Sequence, residues 1–447
     1  MGVEVEESGV GVGVGVVEEV TSKNMLFGGA RLEGLEPAMS MAPGADFFTR
    51  CGLPPTIMRK MCWKVARDRY PRTTIQEAPT QGFCSYTLYA GDEIVIQFRP
   101  PSYRIDMEIS RLVKATFLSD APTTTFLGTM NTGSVDPTAE DLYIYSMTRI
   151  PGVPIADLLR PGLPDFEYTQ LEHLIFQFSD MYFFSLMDTA NNDSNRKGRV
   201  GRSLHWRLDM MHSKLPRRFQ PFVEVVMRAL PVLESLPWVL THCDMVPNNI
   251  MVEFEKSERS DKQHLKLCGL LDWAETECLP FGVGFYGLEE LLGRCVPTTG
   301  TSDGSHGSDS PPPPHDDNRI HPYPPPGTRF VYLPHADSLR EAFWRRMEEF
   351  LESAPADMRR NLEGGKGHGQ QTTTTTTPPP SLSLREKMEL ARLLGILLWN
   401  GIAFDDGRLD RVVEEERDAE QIQRLDAMLF STASVNVLGW ATSRFLS

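Results

Sequence analysis

Low-complexity segments limit how much of this chain can fold. Residues 297–328 are rich in Pro, Ser, Gly and Asp, and residues 364–383 contain six consecutive Thr followed by three Pro. Such segments bury too little apolar surface to offset the backbone entropy lost on folding. Residues 1–50 are rich in Gly, Val and Glu, lack helical periodicity and are also predicted to be disordered. Roughly 350 residues remain, enough for one large or two ordinary domains.

The composition excludes several classes of protein. The chain has 60 Asp and Glu against 45 Lys and Arg, a net charge of -15, which argues against a nucleic-acid partner. Its seven Cys form no C-x-x-C pair, so we expect reduced thiols and no zinc knuckle or disulfide framework. No run approaches 18 apolar residues, and the start lacks a basic signal-peptide region. We therefore expect a cytoplasmic protein with no membrane association.

The first half of the foldable chain has the pattern of a small β-rich unit. Residues 81–100 alternate apolar and polar side chains on both sides of the Gly-Asp pair at 91–92, which predicts two strands joined by a turn. Residues 104–119 have apolar side chains at helical spacing, and another strand is predicted at 142–150. We assign residues 51–147 to an N-terminal lobe.

The second half is mainly helical. Long apolar or amphipathic helices are predicted at 166–187, 337–353 and 384–404, and a charged helix near 409–430. We assign residues 148–447 to a larger C-terminal lobe, which contains the two low-complexity insertions at 297–328 and 364–383. The predicted class is α+β, with a small β-rich lobe followed by a larger helical one.

One segment carries a pattern that suits phosphoryl transfer. His242 and Asp244 follow a strand-like run, and Asn249 comes five residues after Asp244, before the next strand. An Asp on such a loop can accept the proton of an attacking hydroxyl, and an Asn amide oxygen can ligate Mg²⁺. Asp244 and Asn249 could also be ordinary turn residues, because Asp and Asn are common in turns.

A second acidic residue follows at the end of an apolar strand. Asp272 comes 23 residues after Asn249, and a hairpin of that length would return it beside Asn249. This carboxylate is the expected main Mg²⁺ ligand next to the nucleotide phosphates. The alternative is a solvated Asp at the end of a strand.

These motifs resemble those of a known family. The run His242 to Asn249, followed by Leu-Leu-Asp-Trp-Ala-Glu at 270–275, is similar to the HGDxxxxN and IDxx motifs of aminoglycoside phosphotransferases and choline kinases. That group is a branch of the protein-kinase-like fold, and fungal proteins with an aminoglycoside phosphotransferase domain look most alike. The resemblance implies a two-lobed fold, ATP and Mg²⁺ as cofactors, and an orienting role for His242. Cys243 stands where the family has Gly.

The resemblance also implies a nucleotide site in the N-terminal lobe. Gly82 and Ser85 lie where the family has its phosphate-covering hairpin. The family's basic residue on the next strand falls on the uncharged Gln97, and Arg99 points to the same face two residues later. Glu108 matches the acid that anchors this cation. An ordinary turn and a solvated Glu are the plain alternatives.

A hinge between the lobes is expected at residues 145–149. Its backbone could bond an adenine edge, and we expect the side chain of Met147 to pack there.

Three functions are compatible with these residues. The first is a small-molecule kinase with Asp244 as the base and an unidentified hydroxyl acceptor. The second is a nucleotide-binding pseudokinase or scaffold, favoured by Gln97. The third is a metal-dependent phosphoesterase, which requires His264 in the site although His264 is predicted to lie in a charged hairpin turn. The pattern favours the kinase, and protein partners are not predicted.

Overall fold

The structure of this protein is a computed structural model. The residues described are 46–79, 81–133, 141–160, 163, 165–187, 197–256, 263–298, 327–363, 381–405 and 408–446. Most of the segments predicted to be disordered, at 1–45, 299–326 and 364–380, therefore lie outside the described residues.

In the described residues, the N-terminal part is a five-stranded antiparallel sheet with three helices. The strands follow the order β1-β2-β3-β5-β4 across the sheet. Their bounds are β1 Ile75–Glu77, β2 Tyr86–Ala90, β3 Ile94–Arg99, β4 Thr124–Met130 and β5 Leu142–Thr148, and the helices are α1 Phe47–Arg50, α2 Pro55–Arg69 and α3 Met107–Phe117. The predicted hairpin is present as β2 and β3, and Gly91 in its turn has φ +63°, a conformation that favours glycine.

The two faces of this sheet have different side chains because strand residues alternate in direction. Ile96 and Phe98 of β3 lie in a core that also contains the buried side chains of α1 and α2. Gln97 and Arg99 therefore project from the opposite face. This alternation places a buried cation, Arg99, away from the apolar core of the sheet.

The predicted disordered segment 1–50 extends too far. Residues Phe47–Arg50 form α1, whose first turn is capped by Asp46 through a 2.9 Å hydrogen bond from the Phe48 N–H. Phe47 and Phe48 are both buried in the core of the N-terminal part. An N-cap and two aromatic side chains are enough to fix this short helix.

The C-terminal part is mainly helical, with short strand pairs at its edges. Its helices are α4 Ile155–Leu158, α5 Tyr168–Met187, α6 Gly198–Gly201, α7 Leu204–Lys214, α8 Gln220–Glu234, α9 Tyr286–Leu291, α10 Ala336–Ser353, α11 Ala356–Glu363, α12 Leu384–Asn400, α13 Ala419–Leu429 and α14 Thr432–Phe445. Its strands are β6 Val153–Pro154, β7 Trp238–Thr241, β8 Ile250–Lys256, β9 Gln263–Leu270, β10 Glu277–Pro280, β11 Gly293–Pro297, β12 Thr328–Tyr332, β13 Ile402–Asp405 and β14 Arg408–Val412. The predicted α+β class, β-rich and then mainly helical, is confirmed. Among the described residues, no helix is both long and apolar enough to cross a lipid bilayer.

Two predictions for the C-terminal part need correction. The ends of the insertion at 297–328 belong to an antiparallel pair, in which Pro297 of β11 is opposite Thr328 of β12. The charged helix predicted near 409–430 is wrong in its first part, because Arg408–Val412 is a strand paired with β13. Charged residues at alternate positions fit a short two-stranded ribbon as well as a helix. The helix begins only at Ala419.

A buried ionic network holds α9, α10 and α12 together. The carboxylate of Glu289 is fully buried and lies 2.8 Å from Arg340 and 2.8 Å from Arg392. The hydroxyl of Tyr332 donates a 2.7 Å hydrogen bond to the same carboxylate. Although burial by itself raises the pKa of Glu289, the two arginines lower it to about 2.

Glu289→Gln is expected to destabilise the protein by about 3–5 kcal/mol, because it leaves two arginines buried without their shared counter-charge. Thermal unfolding at pH 7 measures this. Since the folded pKa is depressed from 4.5, the stabilisation by Glu289 is complete above pH 4.5 and is lost as the pH falls towards 2. Asp68→Asn, which removes the exposed pair with Lys64, is the control and should change stability by less than about 1 kcal/mol. Equal stability of the two variants would show that the network contributes little.

Candidate active site

The loop from β7 to β8 has an unusual backbone. Cys243 has φ +62°, although it is not a glycine. This left-handed conformation is the one that a glycine adopts without strain. The indole N–H of Trp399 donates to the Cys243 carbonyl, and the Met245 N–H donates to the Tyr286 hydroxyl at 2.8 Å. Buried contacts from α9 and α12 thus hold the loop in its conformation.

The ring of His242 bonds to the backbone through both of its nitrogens. Its Nε2 donates to the Leu271 carbonyl at 2.7 Å, and its Nδ1 accepts from the Asp244 N–H at 3.3 Å. Burial lowers the pKa of His242 to about 4, so the ring is neutral at pH 7. Both ring nitrogens therefore form hydrogen bonds to the backbone, one at Asp244 and the other at Leu271, the residue before Asp272.

Asp244 and Asn249 are brought together by the single 3₁₀ turn at Pro247–Asn249. The amide Nδ2 of Asn249 donates to the Asp244 carboxylate at 2.8 Å and to the Asp244 carbonyl at 2.9 Å. The amide oxygen of Asn249 therefore takes no part in the hydrogen bonds to Asp244. This contact explains the five-residue spacing seen in the sequence.

Asp244 is half-buried, and its acidity is altered by its surroundings. Burial raises the pKa of Asp244 to about 7, and the negative charges of Asp272 and Glu275 add to this effect. The hydrogen bond from Asn249 opposes it only in part. A carboxyl group with this pKa can take up and release a proton near neutral pH, as a general base must.

Asp272 returns to the site through the predicted hairpin. In the β8–β9 pair Ile250 is opposite Leu270, and the Leu271 N–H donates to the Asn249 carbonyl at 2.8 Å. Asp272 itself is left-handed, with φ +53°. Non-glycine residues in this region cost free energy and often occur at functional sites. The backbone thus aims a half-exposed carboxylate towards the sheet of the N-terminal part.

Arg99 reaches Asp272 from that sheet. Its guanidinium lies 3.1 Å from the Asp272 carboxylate, and the side chain of Arg99 is only 3% exposed. Its Nε donates to Gln97 at 2.9 Å, so the two candidates for the basic position are in contact. The sequence had assigned Glu108 as the acid beside Arg99, and the structure supplies Asp272 as an acidic partner.

The loop before β2, residues 81–85, lies within reach of the charge of Asp272. Burial raises the pKa of Cys84 to about 12, and the charge of Asp272 raises it further while Arg99 opposes. Ser85 is buried, with its hydroxyl 3.2 Å from that of Thr87, and Gly82 is exposed. Cys84, which lies between Gly82 and Ser85 in this loop, is therefore close enough to Asp272 to be affected by its charge.

Glu108 lies in the first turn of α3, beside a cavity of about 340 Å³. The cavity is lined by Ile105, Asp106, Glu108, Ile109, Gly198, Arg202, Trp273, Ala274, Thr276 and Glu277. It adjoins the residues that follow Asp272. Its volume is at the lower end of the range for small-molecule pockets.

Met147 lies inside β5, within the hinge expected at 145–149. Its register pairs it with Val95 of β3 on one side and Thr124 of β4 on the other. Its backbone N–H and C=O therefore belong to the sheet. The expected hinge at 145–149 thus belongs to the sheet as far as Thr148, and the assignment of Met147 to nucleotide binding stays a prediction.

Two groups of supporting residues were missed from the sequence. Trp399 and Tyr286, whose rings stack at 4.7 Å, fix the Asp244 loop from two helices. Gln81 closes the loop before β2, because its amide accepts from the Thr87 N–H at 2.7 Å and donates to the Thr87 carbonyl at 2.9 Å. No local pattern marks such contacts.

Comparison with known proteins gives matches among solved structures only. The GDP complex of wild-type aminoglycoside 2'-phosphotransferase-IIIa is 10% identical, with a TM-score of 0.43 over 86% of this chain and 98% of that one. A streptomycin–ATP–APH(2")-IIa ternary complex is 13% identical, with a TM-score of 0.31 over 51% and 74% of the two chains. Choline kinase from Cryptosporidium parvum Iowa II is 10% identical, with a TM-score of 0.28 over 88% and 95%.

No protein-family model and no curated protein matches the chain. The solved structures are of the two kinds of protein that the sequence motifs resemble. At these identities and TM-scores the likeness carries no argument about activity, which therefore rests on the geometry of the site.

Proposed function

We propose that this protein is an ATP- and Mg²⁺-dependent phosphotransferase that transfers the γ-phosphate of ATP to a hydroxyl group of a small molecule. The observation that carries this proposal is the geometry of the loop: Asn249 holds the carboxylate of Asp244 at 2.8 Å, and the β8–β9 hairpin brings the backbone before Asp272 back to Asn249. Phosphoryl transfer needs a group that receives the proton of the acceptor hydroxyl and separate oxygen ligands for a cation.

Asp244 acts as the general base in this proposal. At pH 7 a pKa of about 7 leaves a large fraction of Asp244 ionised, yet basic enough to receive a proton. His242 is a positioning residue, because it joins the backbone at Asp244 to the backbone just before Asp272. The relative placement of the two carboxylates depends on it.

The donor set fits Mg²⁺. The amide oxygen of Asn249 and the carboxylate of Asp272 are hard oxygen ligands, of the kind that Mg²⁺ prefers. Bound there, Mg²⁺ would neutralise charge on the nucleotide phosphates. Arg99, on the sheet of the N-terminal part, supplies a fixed positive charge next to Asp272. In this proposal the loop that contains Gly82 and Ser85 covers the phosphates of the bound nucleotide.

The acceptor is a small molecule in this proposal. The cavity beside Glu108 is lined by Trp273 and Ala274, the two residues that follow Asp272, and its volume of about 340 Å³ suits a small ligand rather than a folded partner. The lining of the cavity includes three acidic residues, Asp106, Glu108 and Glu277. The chemical identity of the acceptor stays open.

A pseudokinase is the second candidate, and one observation favours it. Gln97 occupies the position of the family's basic residue, and its amide oxygen accepts from the Nε of Arg99. If this contact keeps Arg99 from the phosphates, nucleotide would bind without turnover. Incubation of the protein with γ-labelled ATP, Mg²⁺ and a panel of hydroxyl compounds separates the two candidates, since only an enzyme yields a labelled acceptor or labelled phosphate.

The activity is expected to increase with pH up to about 7. Below its pKa Asp244 is protonated and cannot act as a base, so kcat/KM for ATP should fall about tenfold per pH unit on the acidic side. Slow ATP hydrolysis, with water as acceptor, suffices for the measurement. Glu275→Gln should shift the acidic side of the kcat/KM profile to lower pH, because the charge of Glu275 raises the pKa of Asp244.

Glu253→Gln is the matched control for this shift. Glu253 lies on β8 and pairs with Lys266, away from the loop. Its removal should leave the pH profile unchanged. A profile that is flat from pH 5 to 8 in the wild type, with activity present, would exclude Asp244 as the titrating base.

A further inference from the structure

A second cluster of metal-binding side chains lies on the outer face of the C-terminal part. It consists of His173 on α5, Glu255 on β8 and His264 on β9. His264 lies inside a strand, which corrects its predicted place in a hairpin turn. The function proposed above uses none of these three residues.

The three ligand atoms are already close to one another. One nitrogen of each histidine and one oxygen of Glu255 all lie within 4.8 Å of each other. The two imidazole rings are 4.2 Å apart between centroids, and His264 Nε2 is 3.4 Å from Glu255 Oε2. Ligands of one tetrahedral ion lie about 3.4 Å apart, given bonds of about 2.0–2.1 Å. Small side-chain adjustments therefore complete the arrangement.

The packing of α5 on the hairpin fixes this geometry. Gln177, one helical turn after His173, accepts the Leu267 N–H of β9 at 2.8 Å. In the β8–β9 register Glu255 is directly opposite His264. The cluster is thus built on one helix and two paired strands rather than on loops, which favours a defined ligand geometry.

Neighbouring groups orient the carboxylate without using both of its oxygens. Lys266 Nζ lies 3.3 Å from Glu255 Oε1 and also pairs with Glu253 at 3.3 Å. The other oxygen, Oε2, is the one that faces His264. Hydrogen bonds to the second oxygen of a ligating carboxylate are common around protein metal sites.

The donor chemistry selects a transition metal. Two imidazoles and one carboxylate are a frequent set for Zn²⁺, whereas Mg²⁺ and Ca²⁺ take oxygen ligands. Three protein ligands leave a fourth position to water. Glu255 is exposed, and the side chain of His264 is 18% exposed, so an ion can enter from solvent.

This cluster is distinct from the proposed active site. The pair Ile250 and Leu270 marks the active-site end of the hairpin, and the pair Glu255 and His264 is five residues along β8. At about 3.4 Å per residue this is a separation of about 17 Å.

We propose that His173, Glu255 and His264 form a Zn²⁺ site that ties α5 to the β8–β9 hairpin. An ion that binds the folded state and joins three elements stabilises the fold by mass action. The proposal is independent of the phosphotransferase function.

The test is titration of the tag-free, reduced, full-length protein with Zn²⁺, followed by calorimetry and by thermal unfolding. One ion per chain should bind and raise the Tm. His173→Ala, His264→Gln and Glu255→Gln should each weaken Zn²⁺ binding at least about tenfold, since even partners of ligands typically contribute 10–100-fold. Glu255 is exposed, so Glu255→Gln keeps the test valid if a histidine variant fails to fold.

Two control variants address other binding modes. His205→Ala removes a surface histidine that pairs with Glu234 at 3.3 Å, and Cys268→Ser removes a thiol on the same strand as His264. Both should leave Zn²⁺ affinity unchanged. Absence of Zn²⁺ binding in the wild type, equal affinity in Glu255→Gln and wild type, or loss of binding in Cys268→Ser would overturn the proposal.

Discussion

Asp244→Asn is expected to lower turnover by about 10²–10⁴-fold while leaving the affinity for Mg·ATP nearly unchanged. The replacement keeps the shape of the side chain but removes its ability to accept a proton. Asp244 acts on the attacking hydroxyl in this account, and the cation ligands are assigned to Asn249 and Asp272. Its loss should therefore appear in kcat and not in nucleotide binding.

Steady-state ATP turnover and calorimetric titration with Mg·ATP measure the two quantities separately. Asp209→Asn, at an exposed position on α7, is the matched control and should change neither. If wild type and Asp244→Asn bind Mg·ATP equally but show the same turnover, including with hydroxyl acceptors, the pseudokinase is the better account. Loss of binding together with turnover would mean that Asp244 holds the cation.

Asp272→Asn is expected to abolish Mg²⁺-dependent binding of ATP, a loss of at least about 100-fold, because a neutral amide replaces the charged ligand. Asn tolerates the left-handed backbone at φ +53° better than most residues. The variant should therefore fold, although it loses the ion pair with Arg99. Because the backbone is retained and only the negative charge at position 272 is lost, the variant tests the role of that charge.

Titration of this variant with ATP at saturating Mg²⁺ gives the comparison, with the Tm as a check on folding. Asp92→Asn, in the exposed β2–β3 turn, is a suitable control because Asp92 pairs only distantly with Arg149, at 3.9 Å. Unchanged Mg·ATP affinity in a folded Asp272→Asn protein would refute its role as a metal ligand.

Local patterns were sufficient where neighbouring residues determine the structure. The hairpin around Gly91 combines alternating strands with a residue that takes positive φ easily, so sequence alone predicted it. The sequence singled out Asp244 and Asn249 by their spacing, and the structure adds that the 3₁₀ turn at Pro247–Asn249 brings the two side chains into contact. The return of Asp272 followed from the length of the hairpin.

Contacts between distant segments could not be predicted in this way. Arg99 and Asp272 are 173 residues apart, and nothing in either neighbourhood indicates the other. The same holds for the Zn²⁺ cluster, in which His173 comes 82 residues before Glu255. The family pattern names only Glu108 as the acid beside Arg99, which stays a prediction, and tertiary packing brings Asp272 to Arg99.

Backbone strain was also invisible in the sequence. Cys243 and Asp272 both take positive φ, which non-glycine residues rarely do. The one indication of positive φ was at Cys243, where the family that the motifs resemble has Gly. The prediction of a charged helix at 409–430 failed for another reason: the pairing of β13 with β14, rather than helical propensity, determines the structure of its first residues.

Calorimetric titration of the wild-type protein with ATP, with and without Mg²⁺, tests the central claim most directly. The claim is that the carboxylates of the Asp244 loop and Asp272 form a nucleotide-binding, cation-dependent site. It predicts one ATP per chain in the presence of Mg²⁺ and a large loss of affinity when EDTA removes the cation. Absence of ATP binding, or binding of equal strength with and without Mg²⁺, would contradict it.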